Sequence, residues 1–352
     1  MRVSFLTPQY FPTIGGVPVL VRLIGRATQA LGHDVTVITN EGNVGIEDTE
    51  IRVLRKPRLL ELCRELRASD GVVTIQDCLS LAWPLIVLHR ATIMVLQMDL
   101  ARRDGVAGRL RELLRTWWLR RVKVVAASQN VAQTFSASYP QAAAVTIPNP
   151  YDATLFFPPA AGERRDLDLL FVGRLAIHKR CDVLIDALAL LAGQSNERKL
   201  VIVGDGPERA RLEKMARDRS VENLCNFLGD APQVKVARLM RKSRVVVVPS
   251  GYEPFGIVVL EALACGCKVV TSDAGGLPEA GGGFSAIFRT NDPQDLTAKL
   301  RWTEDCAREK AVDRDAPLQD YLKEHQPRAI AEKWINELRS AGRGLKEQGI
   351  TQ

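Results

Sequence analysis

Two glutamates, Glu253 and Glu261, stand eight positions apart in "PSGYEPFGIVVLEALACG" (249–266), an otherwise mostly apolar run. A carboxylate inside an apolar helix is costly unless something binds it. The sequence predicts a buried strand at "RVVVVPS" (244–250), a turn at "GYEPFG", and a helix from Phe255 onward. Glu261 would then lie six residues into the helix, about 9 Å along its axis. Two acceptors so spaced suit two hydroxyl-bearing parts of one long ligand. A negatively charged centre would sit between them, at the helix N-terminus where the first amides lack helical partners. The competing reading is an exposed Glu253 and a salt-bridged Glu261.

A second cluster points to the same kind of ligand. "FVGRLAIHKR" puts Arg174 directly after a predicted strand and Lys179 five residues later. Arg grips phosphate oxygens with two parallel bonds, Lys supplies a point charge, and the positive end of a helix dipole adds to both, so a diphosphate fits. Taken alone, the two cations could equally be solvated surface side chains. "VIVGDGPERARLE" (201–213) has Gly-x-Gly after a strand, but Arg209 stands where a dinucleotide fingerprint needs its third glycine. A tight turn explains it without a ligand.

These residues need a frame, and the chain has room for two domains with their own cores. Short β-rich runs alternate with helical patterns, which predicts parallel sheets. The first series is 2–7, 34–39, 71–76, 92–97 and 122–128; the second is 167–173, 199–206, 226–230, 244–250 and 267–273. Between them, "YPQAAAVTIPNPYDATLFFPPAAGERRD" (139–166) is rich in proline and reads as a connection. The expected organisation is an N-terminal domain (1–155), a linker (156–166), a second domain (167–325), and a C-terminal helix and tail (326–352). In that last helix Ile330, Trp334, Ile335 and Leu338 form one stripe. The fold class expected is α/β, with two doubly wound Rossmann-like domains facing a central cleft.

Composition narrows the partners. A net charge of +7 suits anionic ligands or acidic membrane surfaces. Aromatic residues are only 6% and no nucleic-acid recognition motif occurs, so nucleic acid is not an expected partner. Seven cysteines without a C-x-x-C pair fit reduced thiols and a cytoplasmic setting. The N-terminal apolar stretch is too short for a signal peptide, and no run of about 20 apolar residues suggests a transmembrane helix.

In order, "GRLAIHK", "VGDGPER", "PSGYEPFGIVVLEALACG" and "SDAGGLPE" resemble the retaining GT-B glycosyltransferases of family 4, the group 1 glycosyl transferases. "PQYFPTIGGVPVLVRLIGRATQALGHDVTVIT" and "IPNPYD" extend the resemblance into the first half. It implies a hexosyltransferase that moves a sugar from a nucleotide diphosphate to a hydroxyl of a glycan or lipid-linked acceptor, in polysaccharide or glycolipid assembly. Arg174, Lys179 and Glu253 would be the catalytic set, the two cations on the donor diphosphate and Glu253 on hydroxyls of the transferred sugar. Phe255, Gly256 and Ile257 would offer backbone amides, Glu261 would accept from the ribose, and Gly15 and Gly16 would bring backbone close to the phosphates. No metal and no other cofactor is expected.

The chain departs from the family pattern in three places. Arg180 replaces the common glycine after the diphosphate lysine, and Asn149-Pro150 replaces Asn-Gly. Gln97, Met98 and Asp99 occupy the run where a histidine usually approaches the sugar, which leaves Asp99 as an acceptor-side candidate. A non-catalytic sugar-nucleotide-binding protein or a GT-B epimerase are the alternatives. "DLD" (166–168) and "DRD" (313–315) match Asp-x-Asp metal motifs by spacing only. The stretch 108–123 puts Leu110, Leu113, Leu114 and Trp117 on one helical face among arginines, either a core-packed helix or a peripheral contact with the inner face of a membrane.

Overall fold

A computed structural model describes residues 1–13, 15–42, 48–76, 78–98, 100, 106–160, 162–193, 197–308 and 315–347. The chain forms two compact units, Met1–Pro150 with His325–Gln352, and Tyr151–Glu324.

The first unit holds seven strands: β1 (Arg2–Thr7), β2 (Asp34–Thr39), β3 (Arg52–Arg55), β4 (Gly71–Ile75), β5 (Ala91–Leu96), β6 (Lys123–Ala126) and β7 (Ala144–Thr146). They pair in parallel in the order β3-β2-β1-β4-β5-β6-β7. All five runs predicted for this half are strands. β3 and β7 escaped prediction because they are short edge strands with partly exposed side chains, and so lack the apolar run that marks a central strand.

The second unit holds β8 (Leu167–Val172), β9 (Leu200–Val203), β10 (Cys225–Gly229), β11 (Ser243–Val248), β12 (Lys268–Ser272) and β13 (Ala286–Phe288). These are also parallel, in the order β10-β9-β8-β11-β12-β13. Both sheets are doubly wound, as expected. Central strands are apolar throughout: Val245 to Val248 of β11 are all buried, because helices cover both faces of a parallel sheet. The stretch 151–166 is packed onto this unit. Phe156 is buried, and the Arg165 guanidinium donates to the carbonyls of Ser243 and Cys265 at 2.6 Å each.

The helix Pro327–Glu347 returns to the first unit and packs on the helix Gly16–Ala30 and on β5. Its stripe of Ile330, Trp334, Ile335 and Leu338 is buried, and the Trp334 ring stacks on Phe5 of β1 with centroids 6.3 Å apart. Leu338 lies over Gly71, where a Cβ would stand 3.3 Å from it. Trp334 Nε1 is buried without a hydrogen-bond partner, so packing alone holds the ring. Trp334→Ala is therefore expected to destabilise the first unit by about 3–5 kcal/mol. Trp334→Phe, which leaves no donor stranded, should cost roughly half as much or less. Urea unfolding followed by circular dichroism checks both.

Candidate active site

The sheet order of the second unit reverses between β8 and β11, and ligands of doubly wound folds sit at the carboxyl ends of the strands at that reversal. The two loops that carry the predicted chemistry leave these two strands. Arg174, Lys179 and Arg180 follow β8; Ser250, Glu253 and Gly256 follow β11.

Backbone contacts fix the first loop. Leu175 N donates to Asp205 O at 2.9 Å, and Glu208 N to Leu175 O at 3.0 Å. A Cβ at Gly204 would lie 2.1 Å from Gly173 O, and one at Gly206 would lie 2.3 Å from Leu175 O. The glycines of "GDG" thus serve close packing against the Arg174 loop. Arg174 is exposed and makes no ion pair among the described residues. Lys179 closes a short 3-10 turn, Ile177–Lys179, through Lys179 N to Ala176 O at 2.9 Å.

The two loops meet at Glu253. Lys179 Nζ donates to Glu253 Oε2 at 2.5 Å, and Ser250 Oγ donates to the same oxygen at 3.2 Å. Gly251 N donates to His178 O at 2.7 Å, tying turn to loop, so His178 acts here through its main chain. Underneath, Gly276 N donates to Glu253 O at 2.8 Å, and a Cβ at Gly275 would stand 2.2 Å from that oxygen. The "DAGG" segment is therefore a backbone cradle for Glu253. Ser250 and these glycines are site residues that the sequence reading did not assign, although "SDAGGLPE" was among its motifs.

The helix begins at Ile257, two residues later than predicted, because Gly256 takes a left-handed conformation (φ 100°) that ends the turn. Phe255 is buried beneath it. Glu261 consequently lies in the second turn of Ile257–Ala264 and makes no ion pair among the described residues. Its residue keeps partial exposure while protein surrounds the carboxyl closely, and that burial, with Asp152 adding like charge, pushes its pKa up from 4.5 to about 8. A hydroxyl donor reaching Glu261 would favour the charged form.

Arg180 occupies the position where the resemblance expects glycine. Its backbone is left-handed (φ 51°, ψ 38°), and the residue serves as N-cap of the helix Cys181–Ala192. That conformation costs an L-residue roughly 1–2 kcal/mol. Arg180 Nε bonds Asp182 Oδ1 at 3.1 Å, and its Cγ lies where a Gly251 Cβ would come within 3.3 Å.

The remaining candidates lie in the first unit. Gly15 is extended (φ 165°) and Gly16 opens a helix; both are exposed, and a Cβ on Gly16 would meet nothing within 4 Å. Neither glycine is demanded by packing in its own unit. Glu41 steadies the segment before them, accepting from Tyr10 N at 2.9 Å and Thr13 Oγ1 at 2.8 Å. Gln97 and Asn149 form a reciprocal amide pair, at 3.0 and 2.7 Å, so Gln97, one departure from the family pattern, is bonded to the asparagine that precedes another, Pro150. Asp99 lies outside the described residues, as do Asp313 and Arg314 of "DRD". In the second unit, Asp168 of "DLD" accepts from Lys199 N at 3.1 Å and from Arg244 at 3.2 Å.

Residues 157–316 match the family model of glycosyl transferases, group 1. Arg174, Lys179, Glu253 and Glu261 all fall inside that span. A GDP-mannose-dependent alpha-(1-6)-phosphatidylinositol dimannoside mannosyltransferase of Mycobacterium tuberculosis is 36% identical over 133 residues, 38% of this chain and 34% of that protein. The chain spans roughly a third of the length of the curated relatives it matches. Among solved structures, a glycosyltransferase from Rickettsia africae superposes with a TM-score of 0.78 at 16% identity, covering 97% of this chain and 98% of that one. Anabaena HepE in complex with UDP-glucose gives 0.67 at 21% identity, covering 99% and 100%. The fold is that of the GT-B glycosyltransferases.

Two outcomes follow from this geometry. Arg180→Gly should hold or raise the melting temperature, whereas Arg180→Val, β-branched at a positive φ, should lower it. For Glu261, the folded pKa is raised, so the native state keeps a proton that the unfolded chain releases. Stability from this group is full below pH 4.5 and is lost as pH rises to about 8. Relative to Glu261→Gln, the wild-type chain should lose about 2 kcal/mol between pH 5 and 8, a figure reduced for solvent access. Denaturant titrations at the two pH values measure it.

Proposed function

We propose that this chain is a retaining hexosyltransferase that uses a nucleotide-diphosphate sugar and needs no metal. The observation that carries the proposal is the Lys179–Glu253 pair at the β8/β11 reversal, on loops that also carry Arg174, within the span matching a glycosyl transferase model. Lys179 and Glu253 pair with each other in the structure. On donor binding, Lys179 turns to the diphosphate and Glu253 accepts from sugar hydroxyls. Glu261 accepts from the ribose, and the amides at Phe255, Gly256 and Ile257 face the phosphates and sugar.

In the reaction the bond from the anomeric carbon to the diphosphate oxygen breaks, and the nucleoside diphosphate leaves with the electron pair. The acceptor oxygen forms the new bond to the anomeric carbon, and its proton passes to the departing diphosphate. Arg174, Lys179 and the helix N-terminus offset the negative charge that grows on the leaving group. Retention of configuration and family 4 membership rest on the resemblance of the motifs.

The acceptor is proposed to be a glycan or lipid-linked hydroxyl, in polysaccharide or glycolipid assembly at the cytoplasmic side of a membrane. The relative from Mycobacterium tuberculosis is named for a lipid-linked substrate and GDP-mannose, and HepE was solved with UDP-glucose. The helix Val106–Leu119 lends support. Leu113 and Leu114 of the predicted apolar face are exposed, while Trp118 and Leu119 enter the core instead; the side chain of Leu110 lies outside the described residues. No helix among the described residues is long and apolar enough to cross a membrane. An epimerase or a non-catalytic binding protein is not favoured by the company of named transferases.

A panel of nucleotide sugars, screened for thermal stabilisation and for slow donor hydrolysis, is expected to single out one donor. With it, Lys179→Ala and Glu253→Ala should each lower turnover on the order of 10²–10³-fold or more without unfolding the chain. Undiminished turnover in both variants refutes the site.

A further inference from the structure

At the amino ends of strands in the first unit's sheet, where β5 and β6 begin, lies a cavity of about 400 Å³. Its size falls within the range of about 300–1,000 Å³ usual for small-ligand sites. Arg90, Arg120, Arg121 and Lys123 line it, and no carboxylate of the described residues does. Lys123 is balanced by a carboxylate outside the lining, its Nζ donating to Glu337 Oε2 at 3.0 Å, and it also donates to Ser340 Oγ, a lining residue, at 2.7 Å.

Among the described residues the three guanidiniums have no such balance. Arg90 donates to the main-chain carbonyl of Arg67 at 2.6 Å, and its Nε is buried without a hydrogen-bond partner. Arg121 donates to the carbonyl of Trp117 at 3.3 Å and lies 3.4 Å above the Trp117 ring, which orients the planar group. Arg120 is exposed and forms no ion pair among the described residues. Elsewhere on this chain arginines are commonly paired, as Arg22 is with Asp48 and Arg209 with Asp205 and Glu213. Like charges gathered around one cavity repel, and a multiply charged anion relieves that repulsion. The floor differs from the rim: Leu85 and Trp118 are buried apolar side chains.

We infer that this cavity binds a phosphate-bearing ligand, with oxygens on Arg90, Arg120 and Arg121 and an apolar portion against Leu85 and Trp118. Planar guanidiniums meet phosphate oxygens with paired hydrogen bonds, which an uncharged apolar ligand or a cation could not exploit. The phosphate could belong to an acidic phospholipid headgroup or to a soluble phosphate ester. The inference does not rest on the transferase reading, because the site lies at the strand ends opposite those that carry Gly15 and Gly16 after β1 and Gln97 after β5.

Arginine labelling with phenylglyoxal, read by peptide mass spectrometry on the full chain, tests it locally, so anion binding at Lys179 does not interfere. Inorganic pyrophosphate, pure phosphatidylcholine vesicles and vesicles containing phosphatidylglycerol are the probes. Labelling of Arg120 and Arg121 is expected to slow several-fold while Arg244 and Arg328, outside the cavity, stay unchanged. Protection by pyrophosphate but not by acidic vesicles assigns a soluble ligand; protection by acidic vesicles but not by pure phosphatidylcholine assigns a lipid headgroup. The double variant Arg120→Glu/Arg121→Glu, at two exposed positions, should abolish the slowing that the same probe produces at Arg90, the third guanidinium of the site, while the circular dichroism spectrum stays that of the folded chain. No protection by any probe, or equal slowing at all four arginines, overturns the inference.

Discussion

The reversal of strand order between β8 and β11 is the constraint on which the candidate active site depends. In an all-parallel sheet, crossovers on either side of such a reversal run to opposite faces, and the loops after the two central strands are left uncovered. Here those loops carry Arg174 with Lys179, and Ser250 with Glu253. Neighbouring loops then approach as near as backbone allows. Gly204 and Gly206 press on the first loop, Gly275 and Gly276 on the second, at separations that no side chain would tolerate. Substituting any of these glycines would move charged groups without touching them.

The two glutamates of the second loop and its helix sit in opposite electrostatic states. Glu253 is already satisfied, by Lys179 and Ser250. An ion pair of this kind adds little to stability, but removing either partner strands the other. Its value lies in holding two reactive side chains at one place until something displaces their mutual contact. Glu261 pairs with no cation among the described residues, feels the like charge of Asp152, and is held toward the neutral form by burial. The two carboxyls therefore respond to different ligand parts: an anion that draws Lys179 away frees Glu253 for hydroxyl donors, while a hydroxyl donor reaching Glu261 favours its charged form.

The first unit follows other constraints. Its terminal helix buries a full apolar stripe against β1, β4 and β5, so a segment distant in sequence completes this core. The Gln97–Asn149 amide pair joins the end of β5 to the segment that enters the second unit. Proline after Asn149 is compatible with that pair, since the amide side chain, not the following backbone, makes the contact.

Much of this protein could be read before any coordinates. The alternation of apolar runs and helical stripes implies two parallel sheets, because side-chain periodicity is a local property. Residue types at Arg174, Lys179, Glu253 and Glu261 imply an anionic, hydroxyl-rich ligand, because charge and hydrogen-bonding capacity belong to the side chain itself. Edge strands such as β3 and β7 carry no such local mark. The start of the helix at Ile257 depended on the dihedral angle of Gly256, and the exposure of Leu113 and Leu114 on how the helix Val106–Leu119 is rotated against its sheet. Only the tertiary structure decided that Lys179 bonds Glu253, that Gly275 and Gly276 carry it, that Arg180 takes a left-handed backbone, and that arginines from 90 and 120–121 share one cavity. Most of these join residues far apart in the chain, and such meetings are set by strand order and packing, which no local pattern encodes.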